Sequence, residues 1–176
     1  MKRTLFTFLV MLIGSTAFAG NPLTVVNSSI DLKELKKKDV AAVLVIDWNS
    51  TKFDNKKAAS KEFGKDWAFI KKDCTDKFIE GFNKKSKGLK LQKSAKGAKY
   101  KFTIKVTNID SFAKVFGGGG QTVGKVWGTL KIQELPKGRV VAEVEITEAE
   151  DGRDYVRRES FGKTMKLLGV RVAKLK

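Results

Sequence analysis

The sequence predicts an α+β domain, in which a mainly antiparallel sheet carries two amphipathic helices on one face as a two-layer sandwich. Two patterns lead to this prediction. Between residues 100 and 147, three segments alternate apolar and polar side chains, which is typical of strands that bury one face. Two other segments, over about 60–85 and from about Asp154 onward, repeat apolar side chains every three or four positions, which is typical of helices that bury one side.

The N-terminus predicts export. Lys2 and Arg3 precede a short apolar run over Leu5–Ile13, and Ala17-Phe18-Ala19 supplies the small residues that a signal peptidase requires. The apolar run is shorter than the roughly 20 residues that cross a bilayer. We therefore expect residues 1–19 to be a cleaved signal peptide, and the mature protein to lie in the periplasm or outside the cell without a transmembrane span.

The first elements of the mature chain are predicted from short apolar runs. Thr24–Val26 indicates a short strand, and the form of the charged stretch Leu32–Lys38 stays open. Val40–Trp48 (VAAVLVIDW) is a continuous apolar run rich in Val, which favours a central strand buried on both faces. The polar segment Asn49–Ala59 is expected to be a loop.

The first long helix is predicted over about Ser60–Lys85. Its apolar residues step by three or four positions and therefore share one face. They are Phe63, Trp67, Ile70, Cys74, Phe78 and Phe82. Cys74 is the only cysteine, so an intrachain disulfide is excluded, and its place on this face favours a buried, inert thiol over an intermolecular bridge.

A short strand around Leu89–Leu91 and then a long strand are expected next. In the long strand, Tyr100–Val106 alternates between two faces, and the alternation slips by one near Asn108. Such a slip indicates a β-bulge. Gly117–Gly120 then predicts the tip of a hairpin.

Two further strands, Val126–Leu135 and Val140–Thr147, are joined by a predicted turn at Pro136–Gly138. Their solvent faces carry Lys on one strand and Glu on another, so cross-strand ion pairs favour the antiparallel register by a few tenths of a kcal/mol each. The chain ends in a second amphipathic helix. Its apolar face comprises Phe161, Met165, Leu168, Val172 and Leu175.

Residues 20–176 are predicted to be a single, strongly basic domain. The formal net charge of the chain is +17, and the loss of Lys2 and Arg3 with the signal peptide brings it to +15. Such a charge favours acidic partners, among them acidic glycans, lipopolysaccharide and anionic lipid, with nucleic acid disfavoured. The lysines are spread along the chain, however, so a solvated surface without a specific site is the simpler interpretation.

Motifs that suggest catalysis or cofactor binding fail in their context. The absence of histidine excludes Ser-His-Asp and Cys-His catalysis. Gly119–Lys125 has the spacing of a phosphate-binding loop, but Val126 stands where Ser or Thr is needed. Ser111–Lys114 and Ser160–Lys163 match a penicillin-binding spacing without its partner motifs. The acidic stretch around Gly152 lacks EF-hand ligands and leaves at most a weak surface ion. Because each of these motifs fails, we expect no enzyme activity, no cofactor and no metal site.

The best candidate binding patch lies on the outer face of the predicted sheet. Lys101 and Lys105 on one strand, with Trp127 and Lys131 on the next, combine basic and aromatic side chains. Faces of this kind bind single-stranded nucleic acid or sugars. Alternatively, Trp127 is covered by the N-terminal segment or packs over lysine stems.

Five short motifs stand out along the chain: Val25-Val26-Asn27-Ser28, the Val40–Trp48 strand, the Trp67 helix, the Ala98-Lys99-Tyr100 strand start and the Gly152-Arg153-Asp154 helix start. They resemble those of small secreted domains of unknown function that are common in Bacteroidetes. More distantly, the layout is similar to the TolB amino-terminal and curli-secretion lipoprotein domains. These resemblances imply a scaffold or interaction role in the cell envelope, without catalysis.

Two functions therefore remain for the domain. The first is an exported, non-enzymatic envelope interaction or scaffold protein, which binds another envelope protein through a sheet edge or the exposed face. The second is a polyanion-binding protein, whose lysines hold an acidic glycan, lipopolysaccharide or nucleic acid. Salt distinguishes the two, because affinity for a polyanion falls steeply as salt increases.

Overall fold

The computed structural model describes residues 21–116 and 119–175, which fold around one eight-stranded sheet. The predicted signal peptide lies outside the described residues. The strands are β1 Leu23–Ser28, β2 Ala41–Asp47, β3 Lys52–Phe53, β4 Lys57–Ala58, β5 Lys90–Gln92, β6 Ala98–Phe116, β7 Gly119–Glu134 and β8 Arg139–Asp154. The helices are α1 Leu32–Leu35, α2 Ala59–Phe63, α3 Trp67–Lys85 and α4 Arg157–Val172, with a 3₁₀ turn over Gly64–Asp66.

The sheet is mixed, which corrects the prediction of a mainly antiparallel two-layer sandwich. Its main strand order is β1-β8-β7-β6-β2-β5. The strands from β1 to β6 in this order are antiparallel neighbours, whereas β2 runs parallel to both β6 and β5, and β3 runs parallel to β6. Alternation reports which face of a strand is buried and carries no information on its direction. The α+β class is confirmed, and so are the antiparallel directions of β6, β7 and β8, whereas the parallel directions of β2, β3 and β5 were not predicted.

Helices α3 and α4 pack on each other and on the same face of the sheet. Phe82 of α3 meets Phe102 of β6 edge-to-face, with 5.7 Å between the ring centroids. The apolar faces predicted from periodicity are confirmed for most of their residues. The buried members are Ile70, Cys74, Phe78, Phe82, Phe161, Met165, Leu168, Val172 and Leu175.

The two helices approach each other to backbone contact because glycines face the crossing. A Cβ atom at Gly81 would meet the backbone carbonyl group of Lys166, and one at Gly169 would meet that of Phe78. In both cases the obstacle is backbone, which cannot rotate away as a side chain can. The separation of α3 and α4 is therefore fixed by the absence of these two side chains.

The bulge predicted in the first long strand is confirmed. The register between β6 and β7 shifts between Val106 and Asn108, so Thr107 is the extra residue. Val106 and Ile109 are both buried, and the inward-facing positions thus change from even to odd numbers. The Asn108 side chain accepts a hydrogen bond of 2.9 Å from the backbone N–H of Asn55, in the loop that leads from β3 to β4.

Two predictions at the start of the domain were partly wrong. Within β2, Ala42, Val43 and Leu44 are buried but Val45 is 39% exposed, so the strand is not buried along both faces. The segment predicted as a loop, Asn49–Ala59, contains the short antiparallel pair β3 and β4.

Candidate functional site

The four side chains of the predicted patch share the outer face of the sheet. Thr103 of β6 lies opposite Lys131 of β7, and Lys101 and Lys105 lie two positions to either side of Thr103. At about 3.3 Å per residue, the two β6 lysines are roughly 13 Å apart along the strand. Trp127 is half-buried beside the bulge. The structure thus brings the patch together on two strands, and ligand binding by it stays a prediction.

Acidic side chains of β8 lie beside this patch. Glu143 is the register partner of Lys131, and the two form an ion pair of 3.3 Å, which confirms the predicted cross-strand pairing at this position. Glu145 lies opposite Thr129 on the same face. A face of mixed charge attracts a polyanion less strongly than one that carries lysines alone.

Strand β1 forms one end of the sheet and leaves a backbone edge without a neighbouring strand among the described residues. At the opposite end, β5 has three residues and carries Lys90; shortness and charge are ordinary protections of an edge strand. β1 has six residues, and the segment 21–30 contains no charged residue. Val25 and Val26 are 38% and 62% exposed. A bulge between Val25 and Asn27 twists this edge without adding charge.

A groove of about 450 Å³ separates β1 from the end of α4. It is lined by Asn21, Leu23, Val25, Arg171, Lys174 and Leu175. The β1 residues of this set alternate along the strand, so they share the face that looks toward α4. An added strand beside β1 would point its alternate side chains into the same groove. The cations of the lining favour acidic side chains there, and its leucines and valine favour apolar ones.

A second cavity, of about 300 Å³, adjoins the groove and is lined mainly by lysines. We call it the lysine pocket. Its lining comes from α1 and the residues after it, from the end of α3, and from the residues after α4. The lining residues are Lys33, Lys36, Lys37, Lys85, Ser86, Lys87, Ala173, Lys174 and Leu175. Lys174 and Leu175 also line the groove, so the two cavities meet at the end of the chain's last helix.

Lys36 connects the three segments of the lysine pocket. Its backbone carbonyl accepts hydrogen bonds from the N–H groups of Gly88 and Leu89, at 3.1 and 3.2 Å, and its Nζ donates to the carbonyl of Leu175. Burial lowers the pKa of Lys36 below the ordinary lysine value, and the charge of Asp31 opposes this shift only in part. The pocket is therefore held in place by backbone contacts that do not depend on a ligand.

The clustering of these lysines was not predicted. The signal in the sequence consists of two lysine-rich runs, Lys36–Lys38 and Lys84–Lys87, which are far apart along the chain. Their proximity depends on the parallel pairing of β5 with β2, which places the end of α3 next to α1. Strand direction was the feature that the sequence pattern did not reveal.

The motifs rejected in the sequence have structural explanations. Gly119–Lys125 lies within β7, so the segment continues as a strand and does not lead into a helix as a phosphate-binding loop does. Lys125 forms ion pairs with Glu148 and Glu150, the acidic residues considered for calcium. Within residues 21–116 and 119–175, no group of three or more His, Cys, Asp or Glu side chains is placed to hold a metal. Cys74 is fully buried, and burial raises the pKa of its thiol well above the ordinary range.

Comparison with known proteins gives structural likeness alone. No protein-family model and no curated protein matches the chain. Among solved structures, the PelC dodecamer from Paraburkholderia phytofirmans is 14% identical, with 85% of this chain and 94% of that chain covered and a TM-score of 0.45. A homolog of the neuraminyllactose-binding hemagglutinin from Helicobacter pylori is 11% identical, with coverages of 78% and 83% and a TM-score of 0.41.

Protein XCC0632 from Xanthomonas campestris is 11% identical, with 77% of this chain and 84% of that chain covered and a TM-score of 0.36. Similarity at this level does not extend to function. In the part of the chain that the structure describes, no helix has the length and hydrophobicity to cross a membrane.

Proposed function

We propose that this chain is an exported, non-enzymatic interaction protein of the cell envelope, which takes up an extended segment of a partner protein as an additional strand beside β1. The observation that supports the proposal is the uncharged edge of β1, with no charged residue in the segment 21–30 and with Val25 and Val26 exposed. The predicted signal peptide and the resemblance to envelope domains support the compartment.

Backbone pairing supplies the affinity in this mode of recognition, and pockets for alternate side chains supply the specificity. Each added backbone hydrogen bond contributes about 0.5–1.5 kcal/mol net. A strand of six residues offers several such bonds, and the exposed valines offer apolar area to cover. The groove between β1 and α4 lies where the inward side chains of the added strand would point.

The partner segment is acidic and apolar in alternation. Leu23 and Val25 form apolar parts of the groove, and Arg171 and Lys174 carry its positive charge. A carboxylate on the added strand would approach these cations, while a basic strand would be repelled by them. Charge complementarity thus selects an acidic extended segment among all the strands that the backbone edge alone would accept.

The test uses synthetic peptides as probes. A fluorescent ten-residue peptide that alternates valine and glutamate is compared with its valine–lysine twin, and with an acidic peptide of equal charge in which alternate positions are proline. Fluorescence anisotropy in 0.15 M NaCl measures the affinity of the purified exported protein for each. We expect binding of the first peptide alone, with changes in the amide NMR signals of β1, because proline cannot donate to the added ladder.

Matched variants locate the binding. Val26→Glu places a charge on the β1 edge, and Val45→Glu makes the same change at an exposed valine of β2, away from that edge. Val26→Glu should weaken binding at least tenfold, while Val45→Glu should leave it close to wild type. Equal effects of the two variants, or equal binding of the proline-containing peptide, would overturn the proposal. Dimerisation that Val26→Glu abolishes would also overturn it, because the occupant of the edge would then be a second copy.

A further inference from the structure

We propose that the lysine pocket is a binding site for phosphate groups, carried by an envelope polymer or by a lipid headgroup. This inference goes beyond the proposed function, because it concerns another cavity and another class of ligand. It also places polyanion binding in the lysine pocket, and not on the outer-face patch predicted from the sequence.

Lysines collect at helix C-termini for a structural reason, since they interact with the unpaired carbonyl groups there. In this pocket that role is already filled. Lys90, which is outside the lining, donates to the carbonyls of Asn83 and Ser86 at the end of α3, at 3.2 and 3.0 Å. Lys36 donates to the carbonyl of Leu175 after α4. The other lysines of the pocket are not needed as caps.

The positive charge of the pocket is largely unbalanced. Among the described residues, its six lysines form one ion pair, Lys37 with Glu34 at 2.6 Å. Asp31, the acidic residue that precedes α1, caps the helix, where its Oδ1 accepts hydrogen bonds from the N–H groups of Lys33 and Glu34, and its charge also acts on Lys36 and Lys37. These two acidic residues balance only part of the charge of six lysines, and a bound anion would balance more of it.

Ser86 supplies an independent indication of a ligand. This residue is among those that line the pocket and is 5% exposed. Its Oγ atom is buried and has no hydrogen-bond partner among the described residues. A buried hydroxyl without a partner costs about 1–3 kcal/mol. If the side chain turned toward the pocket, an anionic oxygen there would accept this hydroxyl's hydrogen bond and relieve the cost.

The backbone around the pocket is fixed before any ligand arrives. Gly88 packs so closely that a Cβ atom there would meet the backbone carbonyl groups of Lys37 and Lys38. The two hydrogen bonds to the carbonyl of Lys36 hold the same loop against α1. Preorganisation of this kind lowers the free-energy cost of ordering a site around its ligand.

Phosphate fits this lining better than carboxylate does. Planar carboxylates are matched by the fork of arginine, and the lining contains no arginine. Lysine acts as a point charge and suits phosphate, whose oxygens accept donors from several directions. A phosphate monoester also carries about −1.5 to −2 charges at pH 7, which balances more of the pocket's charge than one carboxylate can.

The test compares two triple variants that remove the same number of charges. One replaces Lys33, Lys37 and Lys87 by glutamine in the pocket, and the other replaces Lys101, Lys105 and Lys131 on the outer face. Lys174 is left unchanged because it also lines the groove beside β1. Isothermal titration calorimetry with tripolyphosphate, at 0.15 M NaCl, gives the affinity of the purified exported protein and of each variant.

We expect the pocket variant to lose at least tenfold in affinity and the outer-face variant to stay within twofold of wild type. With long-chain polyphosphate, the slope of log affinity against log salt concentration should be less steep by about two for the pocket variant than for wild type. Each phosphate contact contributes about 0.7–0.9 to this slope on nucleic acids. Ser86→Ala should weaken tripolyphosphate binding about tenfold, as expected for loss of a hydrogen bond to a charged group. The same variant should leave the unliganded protein at least as stable as wild type.

Two further probes identify the source of the phosphate. Sedimentation with phosphatidylcholine vesicles that contain phosphatidic acid tests a lipid headgroup, and long-chain polyphosphate tests a polymer. Binding to either one, if lost in the pocket variant, supports the site and assigns the source. Equal losses in the two triple variants, or equal affinity for polygalacturonate as a carboxylate polymer, would overturn the inference. Val26→Glu should not affect these measurements, so failure here is separable from failure of the β1 proposal.

Discussion

Replacing Gly81 by alanine should push α3 and α4 apart and destabilise the domain. The added Cβ would meet the carbonyl oxygen of Lys166, with the carbonyl carbon 2.9 Å and the Cα atom 3.2 Å away. Carbon atoms pack best at about 3.5–4.0 Å, so these two carbons alone require α4 to move by roughly 0.5–1 Å, and the nearer carbonyl oxygen requires more. The α4 backbone cannot yield at one residue alone, because Met165 and Leu168 on either side are fully buried.

The size of the effect follows from two opposing contributions. Overpacking a well-packed interface costs typically 1–3 kcal/mol, and backbone obstacles lie at the upper end. Alanine in a helix interior is favoured over glycine by about 1 kcal/mol. We therefore expect a net loss of about 2 kcal/mol in the free energy of unfolding. For a domain of this size, that loss lowers the melting temperature by roughly 4–8 °C.

Urea denaturation followed by circular dichroism measures the change, with thermal melts as a second readout. Ala68→Gly, at an exposed position in the first turn of α3, gives a lower bound on the helix-propensity contribution and should cost less than about 1 kcal/mol. Gly120→Ala, where a Cβ would have nothing within 4 Å, should have little effect. If Gly81→Ala is as stable as wild type while Ala68→Gly behaves as expected, then α3 and α4 do not cross as closely as described.

Other residues of the helical layer give further predictions. A thiol reagent should modify Cys74 only as fast as the domain unfolds, because the side chain is fully buried and burial raises the pKa of its thiol; rapid labelling in native buffer would contradict this. Burial also raises the pKa of the Asp73 carboxyl above 3.8, although the charge of Lys77 opposes this shift. The folded domain therefore binds the carboxyl proton more tightly than the unfolded chain does, and the domain loses stability as the pH rises through that region. Asp73→Asn should therefore have a higher urea midpoint than wild type at pH 7 and an equal one near pH 3, and a lower midpoint at pH 7 would refute the sign. Thr164→Val should lower the free energy of unfolding by about 1–2 kcal/mol, because Oγ1 of Thr164 donates to the buried carbonyl of Gly124 at 2.8 Å. Thr164→Ser keeps this hydroxyl and should retain most of the stability.

The spacing of apolar residues along the sequence predicted those elements in which this spacing follows which side chains are buried. The steps of three and four between Cys74, Phe78 and Phe82 described the buried face of α3, because a helix presents the same side to the core throughout its length. The slip near Asn108 predicted the bulge for a similar reason, since alternation in a strand is a direct record of which side chains point inward.

Features that depend on distant segments were not predictable in this way. The parallel pairing of β2 with β5 and β6 is set by the crossover through α3, and alternation is the same for either direction. The lysine pocket depends on that pairing, because Lys33 and Lys87 belong to segments that only the crossover brings together. The side chains of the predicted patch around Lys131 share one face of the sheet, but the neighbouring Glu143 comes from a third strand.

The bulge in β6 also defines where the length of this strand can vary. Removing one residue from a half-buried strand normally exchanges its two faces from that point onward. At Thr107 the opposite holds, because deletion would bring Val106 and Ile109 into a single uninterrupted alternation with both side chains still inward. Thr107 is thus a position at which related chains can gain or lose a residue without exposing their cores, and alignments of such chains should place their gaps here.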